Sequence, residues 1–177
     1  RGVEIVLPLL REWGDFKKPL DTSSFENSEV WQRTQGDFII TTRGRLFGVE
    51  VKTEAKYTGN LFAETYSNAF PDQYERHGWL KTETGALVYL NVFLDVAAVF
   101  QMRLPRLREW CIVEGNAKRF PVVVPHRSAN GEQRNITLGH CIPLAAIIEP
   151  VGVVCYRLIE GKLKRCELHE IERSRSA

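Results

Sequence analysis

The chain lacks a long hydrophobic run. Its longest apolar tract, Val88 to Phe100, is interrupted by Asn91 and Asp95 and is too short and too polar to span a bilayer. No secretory signal is read in it either, so a cytoplasmic protein without a membrane partner is expected. There is little imbalance of charge: 24 Lys and Arg face 22 Asp and Glu, a net of +2. Such a balance permits an acidic partner without demanding one, because a nucleic-acid binder concentrates its charge locally. Cysteine is sparse. None of Cys111, Cys141, Cys155 and Cys166 forms a Cys-x-x-Cys pair, and reduced thiols are expected. His140 beside Cys141, and Cys166 near His169, have ligand-like spacing, but zinc would need long-range convergence of the two pairs. No glycine-rich loop ends in Lys-Ser/Thr, so no nucleotide cofactor is expected. Gly-x-Ser-x-Gly and the dinucleotide fingerprint are missing, and His77, His126, His140 and His169 are scattered.

What is present is ordinary for a globular protein: 177 residues, 44% hydrophobic and 26% charged. That length suits one domain with a substantial core. The apolar spacing of Val3, Val6, Leu7, Leu10 and Trp13 predicts a helix stopped at Gly14, with Pro8 implying a kink or a late start. Residues 15–28 read as loop and "EVWQRT" as a first strand. Residues 37–42 and 45–52 read as two strands joined around Arg43-Gly44. A turn at Thr58-Gly59-Asn60 leads into a strand over residues 61–66, followed by a loop or short helix over residues 67–78 that carries Pro71. "ALVYLNV" reads as strand and "DVAAVFQM" as strand or helix. Pro105 opens a short helix ending at Gly115, and Pro143 opens another closed by Pro150. "FPVVVP" reads as a brief strand. A last hairpin turns near Glu160-Gly161, before a fraying tail. The result is an α/β or α+β domain with a mixed sheet.

The stretch from Asp37 to Glu54 carries the chemistry. A two-residue turn at Arg43-Gly44 pairs Thr42 with Arg45, Ile40 with Phe47 and Phe38 with Val49, which sets Asp37 opposite Glu50. Opposed residues share a face, and so do residues two apart on one strand. One face is therefore Phe38, Ile40, Phe47, Val49 and Val51. The other holds Asp37, Glu50 and Lys52 beside Ile39, Thr41 and Gly48, with Gly48 leaving room by the carboxylates. The apolar face pins the register, since a one-residue slip would turn it to water. Two like charges side by side destabilise a sheet unless a cation sits between them, and oxygen ligands suit Mg²⁺ or Mn²⁺. A lysine at the same point would steady an attacking water or a developing negative charge. The pattern is that of metal-assisted phosphodiester hydrolysis. A solvated hairpin face on which Lys52 neutralises Glu50 is the plainer alternative.

"GD", twelve residues and "EVK" resemble the core motif of the PD-(D/E)XK nuclease superfamily, with Gly36-Asp37 for Pro-Asp and Glu50-Val51-Lys52 for (D/E)XK. The resemblance covers about the first third of the chain. It implies an α/β fold in which a mixed β-sheet is flanked by helices, a restriction-endonuclease-like core, with residues 1–177 as one nuclease domain. The core motif would occupy residues 36–66, and a C-terminal elaboration would follow from about residue 100. It implies Asp37, Glu50 and the Val51 carbonyl as metal ligands and Lys52 as a catalytic lysine. Members often add an acid from the first helix. Glu4 fits best, as in resolvase-like members, and Glu12 competes with it. A turn centred near Gly59 would set Glu64 opposite Glu54, beside the site, where it could hold a second metal or its waters. Lys56, Tyr66, Ser67 and Asn68 are candidate substrate contacts. So are Arg103, Arg106 and Arg108, and the run Lys162, Lys164 and Arg165, for which a solvated face is the simpler account. Trp31, Trp79 and Trp110 read as packing residues rather than stacking platforms. The expectation is a Mg²⁺- or Mn²⁺-dependent endonuclease on duplex or branched DNA, of resolvase-like or phage type and working as a homodimer. The alternatives are a non-catalytic nucleic-acid-binding or assembly protein on a nuclease-like fold, and a domain whose hairpin charges carry no function.

Overall fold

Alternating apolar residues and tight turns dominate the chain, and strands dominate the structure. The computed structural model describes residues 2–14, 19–70, 73–82, 84–124 and 137–174. Helix α1 (Gly2–Trp13) leads to the short strand β1 (Leu20–Asp21) and helix α2 (Ser28–Gln35). Strands β2 (Phe38–Thr42) and β3 (Arg45–Glu54) follow, then β4 (Asn60–Phe70), β5 (Gln73–His77), β6 (Ala86–Phe93) and β7 (Ala98–Arg103). Helix α3 (Leu104–Arg108) runs into a π-turn, and β8 is Val122–Val123. The chain ends with β9 (Leu138–Pro143), α4 (Leu144–Ile147), β10 (Val154–Ile159), β11 (Lys162–Cys166) and α5 (Leu168–Ser174).

Two sheets result. The larger has the order β1-β2-β3-β6-β7-β10-β11 and is mixed, because β3 and β6 run parallel while its other pairs are antiparallel. The smaller has the order β5-β4-β9-β8. The sheet faces explain the layering. Phe38, Ile40, Val49, Val51, Leu90, Val92 and Val99 form one buried face of the larger sheet, and Val6 and Leu10 of α1 cover it. Tyr89, Phe93, Phe100 and Met102 form the opposite face. That face packs against Leu61, Ala63 and Ile142 of the smaller sheet and against Leu104, Leu107, Leu144, Ile147 and Ile171 of α3, α4 and α5.

Three sequence expectations need correction. "EVWQRT" is helix rather than strand: α2 follows Asn27, which is left-handed at φ 57°, and its last carbonyls are capped by Gly36 N–H reaching Gln32 O at 3.0 Å. Trp31 on that helix is 41% exposed and packs edge-on against Phe25, with ring centroids 5.5 Å apart, while Trp79 and Trp110 are buried. Helix α1 runs through Pro8 without a late start; Pro8 lies on its exposed side. Residues 67–70 continue β4 and Gln73–His77 form β5, so these parts of the expected loop or helix are strand. Pro71, His126 and the final residues 175–177 of the expected fraying tail lie outside the described residues. The helices opened by Pro105 and Pro143, the strand reading of "DVAAVFQM" from Ala98 on and the hairpin at Glu160-Gly161 are found, but Pro150 does not close the second helix, because a π-turn spans Ile148–Gly152.

Candidate active site

The β2–β3 hairpin has the expected register: Thr42 with Arg45, Ile40 with Phe47 and Phe38 with Val49. Its two turn residues, Arg43 at φ 51° and Gly44 at φ 70°, are both left-handed, the twist that a two-residue hairpin loop requires. Continuing the register by one step sets Asp37 against Glu50, at a pair that exchanges no ladder bonds and so brings its side chains closest. The chain before Asp37 is fastened from outside the hairpin. Thr22 N–H donates to Asp37 O at 3.0 Å, and Thr22 Oγ1 donates to Gly36 O at 2.8 Å. Gly36 has φ 83°, and a Cβ on it would lie 2.7 Å from Val49 O, so both its conformation and its crowding require glycine.

Asp37 Oδ2 accepts the Val51 N–H at 2.8 Å. A strand residue directs its N–H and C=O to the same edge, so the Val51 carbonyl points to the Asp37 side, beyond the last paired residue of β2. Two carboxylates and a carbonyl therefore line the end of β2. Lys52 Nζ lies 2.8 Å from Glu50 Oε1, with 42% of the Lys52 side chain exposed and 12% of Glu50. Burial, and then the Glu50 charge, push the Asp37 carboxyl up to about 6, against the Val51 hydrogen bond and Lys52. Burial alone would lower the Lys52 ammonium, but Glu50, Asp37 and Glu64 together hold its pKa above the usual value.

Strand β6 supplies the floor. In its register Glu50 lies beside Tyr89, Lys52 beside Asn91 and Glu54 beside Phe93. Tyr89 is buried and stacked on Trp79, with ring centroids 4.3 Å apart. Burial, then Glu54, Glu50, Glu64 and Asp37, raise its phenol, so four carboxylates surround one hydroxyl-bearing ring. Glu54 accepts from Asn91 Nδ2 at 3.2 Å, and burial raises its carboxyl.

Glu64 reaches this place by a route that the sequence did not suggest. The expected pairing of Glu54 with Glu64 is not formed: β3 pairs with β6, and β4 pairs with β9 and β5 in the other sheet, with Glu64 opposite Gly139. The two sheets pack face to face, which still carries Glu64 within electrostatic reach of Lys52 and Tyr89. Ser67 Oγ donates to Glu64 Oε1 at 2.6 Å. The loop at Gly78 wraps so closely that a Cβ there would meet Glu64 Cγ at 2.6 Å.

No protein-family model, curated protein or solved structure matches this chain. The site therefore stands on its own geometry.

Asp37, Glu50, Val51, Lys52 and Glu64 come together. The other expected residues are more dispersed. Glu4 is exposed on α1, the helix that covers the opposite, apolar face. Lys56 is exposed just past β3. Tyr66 stacks under Lys81, whose Nζ is 3.7 Å from the ring centroid, and its ring lies 6.0 Å from that of His77. Asn68 pairs with Arg76 between β4 and β5; its side chain lies outside the described residues. Arg106 is engaged by Glu109 at 2.8 Å, by Glu114 and by Pro150 O at 3.0 Å, and Arg108 donates to Trp79 O at 2.7 Å, so these two serve the fold. Lys162, Lys164 and Arg165 are exposed on the edge strand β11. Gly48 does not leave open space: a Cβ there would collide with Gln35 O at the end of α2.

Three residues escaped the sequence reading. Thr22 and Tyr89 gave no local signal. Asn91 did, as a lone amide in an otherwise apolar strand. As for a metal, no three His, Cys, Asp or Glu side chains among the described residues form a ready-made cage; His140 and Cys141 are successive residues of β9 and face opposite ways. The donor chemistry nonetheless fits a hard cation. Asp37, Glu50 and the Val51 carbonyl offer only oxygen, and the Asp37 carboxyl is raised first by burial and then by the Glu50 charge beside it.

Proposed function

We propose that this protein is a metal-dependent nuclease that hydrolyses phosphodiester bonds in DNA, built on a restriction-endonuclease-like core. One observation carries the reading: Asp37, Glu50 and Lys52 share one face of a hairpin with a pinned register, and Glu64 joins them from a second sheet. Asp37, Glu50 and the Val51 carbonyl would hold Mg²⁺ or Mn²⁺. When bound, the cation supplies Lewis-acid polarisation of the phosphoryl group and a more acidic water.

The chain's own residues do the rest. Lys52 keeps its proton, since three carboxylates favour the ammonium. It therefore acts as a donor and a positive charge, stabilising charge that develops on the phosphorane oxygens, rather than as a base. Glu64, oriented by Ser67, offers an acceptor for the hydrogens of an attacking water. Asp37 is held by the Val51 N–H and by the Thr22 clamp on its backbone, which limits its freedom before substrate arrives. A homodimer would offer one such centre to each strand of a duplex, and light scattering tests that part of the reading.

The decisive experiment incubates plasmid, linear and branched DNA with the protein and Mg²⁺ or Mn²⁺. Cleavage is expected with the parent protein and not with folded Asp37→Asn or Lys52→Ala. Retained cleavage in either variant defeats the mechanism. Salt-sensitive DNA binding without cleavage under any metal would instead favour a binding protein.

A further inference from the structure

Asn91 is the most anomalous residue of the larger sheet. It lies mid-strand in β6, wholly buried between Tyr89 and Phe93, where its neighbours are apolar. Its amide nitrogen donates to Glu54 Oε1 at 3.2 Å, while its oxygen Oδ1 has no hydrogen-bond partner. A buried acceptor left unsatisfied destabilises a fold, whereas an apolar side chain of the same shape would not. The residue beside Asn91 on β3 is Lys52, and neighbours in register share a face.

Direction follows from the planarity of the amide, whose nitrogen and oxygen diverge. Glu54 is two residues beyond Lys52 on β3, which runs parallel to β6. With the nitrogen turned toward Glu54, the oxygen turns back along the strands, toward the level of Lys52 and Glu50. Lys52 has three N–H donors, and Glu50 engages its ammonium at 2.8 Å.

We propose that Asn91 and Glu54 are positioning residues for Lys52. Asn91 Oδ1 is a second acceptor for the Lys52 ammonium, used when the Glu50 oxygens are engaged elsewhere, and Glu54 fixes the amide so that the oxygen faces that way. The device keeps the lysine in place through a reaction cycle in which its first partner has other work. It deepens the nuclease reading, and its catalytic consequence rests on that reading, but the contact itself does not.

The test separates the two. In ¹⁵N-labelled, metal-free protein without DNA, the Lys52 Nζ resonance is identified by its loss in Lys52→Ala. Glu50→Gln weakens the first partner. In that protein the ammonium is expected to remain protected from hydrogen exchange. In Glu50→Gln/Asn91→Leu, exchange is expected to accelerate about tenfold or more, with an intermediate value for Glu50→Gln/Glu54→Gln. The melting temperature of Asn91→Leu is expected to move by less than about 4 °C, because loss of the orphaned acceptor offsets loss of the donor to Glu54. Equal exchange in Glu50→Gln with and without Asn91→Leu would overturn the proposal, as would an unprotected ammonium in Glu50→Gln alone. In the cleavage assay, Asn91→Leu is expected to lower kcat by about 10- to 100-fold, the usual cost of losing such a supporting contact, with KM within about twofold. Asn91→Asp in a Glu54→Gln background, which exchanges donor and acceptor between the two side chains and keeps an acceptor toward Lys52, is expected to recover most of the loss. If the parent protein cleaves nothing, the nuclease reading fails, and the exchange experiment still decides the contact.

Discussion

The two faces of the β2–β3 hairpin obey opposite rules. Phe38, Ile40, Val49 and Val51 are all buried under α1 and gain from the hydrophobic effect in proportion to that burial. Asp37, Glu50, Lys52 and Glu54, one residue out of phase with them, crowd charge into a half-buried space that raises Asp37 and Glu54. One backbone carries both, so the first face supplies the stability that the second consumes. Register is the link. The apolar face cannot slip without exposing itself, and so it also holds the charged face in place.

Substitutions on the two faces should therefore move different observables. The largest effect expected is on catalysis: Lys52→Ala or Asp37→Asn should reduce DNA cleavage on the order of 10³-fold, measured under saturating Mn²⁺. On the other face, Phe38→Ala should lower unfolding free energy by about 3–5 kcal/mol in a urea titration, through the cavity it leaves. A loss below about 1 kcal/mol would show that this face does not anchor the hairpin.

Asp37→Asn should do the reverse in the metal-free protein and stabilise it by roughly 2 kcal/mol at pH 7. The sign follows from its carboxyl, which lies at about 6 in the folded chain against an ordinary value of 3.8. The folded state thus binds the proton more tightly than the unfolded state. That contribution is fully favourable below about pH 4, and it is lost as pH rises through about 6. Urea titrations between pH 4 and pH 7 should show this falling component in the parent and not in Asp37→Asn, and added Mg²⁺ should flatten it in the parent. A smaller effect, about tenfold on kcat, is expected for Glu64→Gln, which keeps the Ser67 contact but not the charge. Smallest of all is Arg106→Ala, away from both faces. Its ion pairs with Glu109 and Glu114 are exposed, so the urea midpoint should barely move and DNA affinity should hold.

The same contrast explains what could be read in advance. The hairpin's register was legible because strict alternation and a two-residue turn are local signals. The order β2 then β3, and the helix ahead of them, followed from the same kind of pattern. Glu64 was singled out for the wrong reason. A local turn predicted a hairpin partner for β3, but that place is taken by β6, while β4 pairs with β9, more than 70 residues farther on. No local pattern encodes such a pairing. "EVWQRT" holds β-branched and aromatic residues over too few positions to separate the periods of two and 3.6, and the helix won through its capping at Gly36 and its packing against Gly48. Asn91 was visible as a polar interruption, yet it served only to argue against a bilayer span; its neighbour Lys52 became apparent once β3 and β6 were aligned.

That parallel alignment also sets a timetable for folding. A two-residue hairpin closes within about 1–10 μs, so Asp37, Glu50 and Lys52 can meet early. The strand beside them is reached only after the chain has left the larger sheet, laid down β4 and β5, and returned. Contacts of such sequence separation form slowly. Tyr89 and Asn91 therefore reach the acidic cluster late, and a nascent chain carries its repelling charges in water, where they are screened, until the layer that buries them is ready.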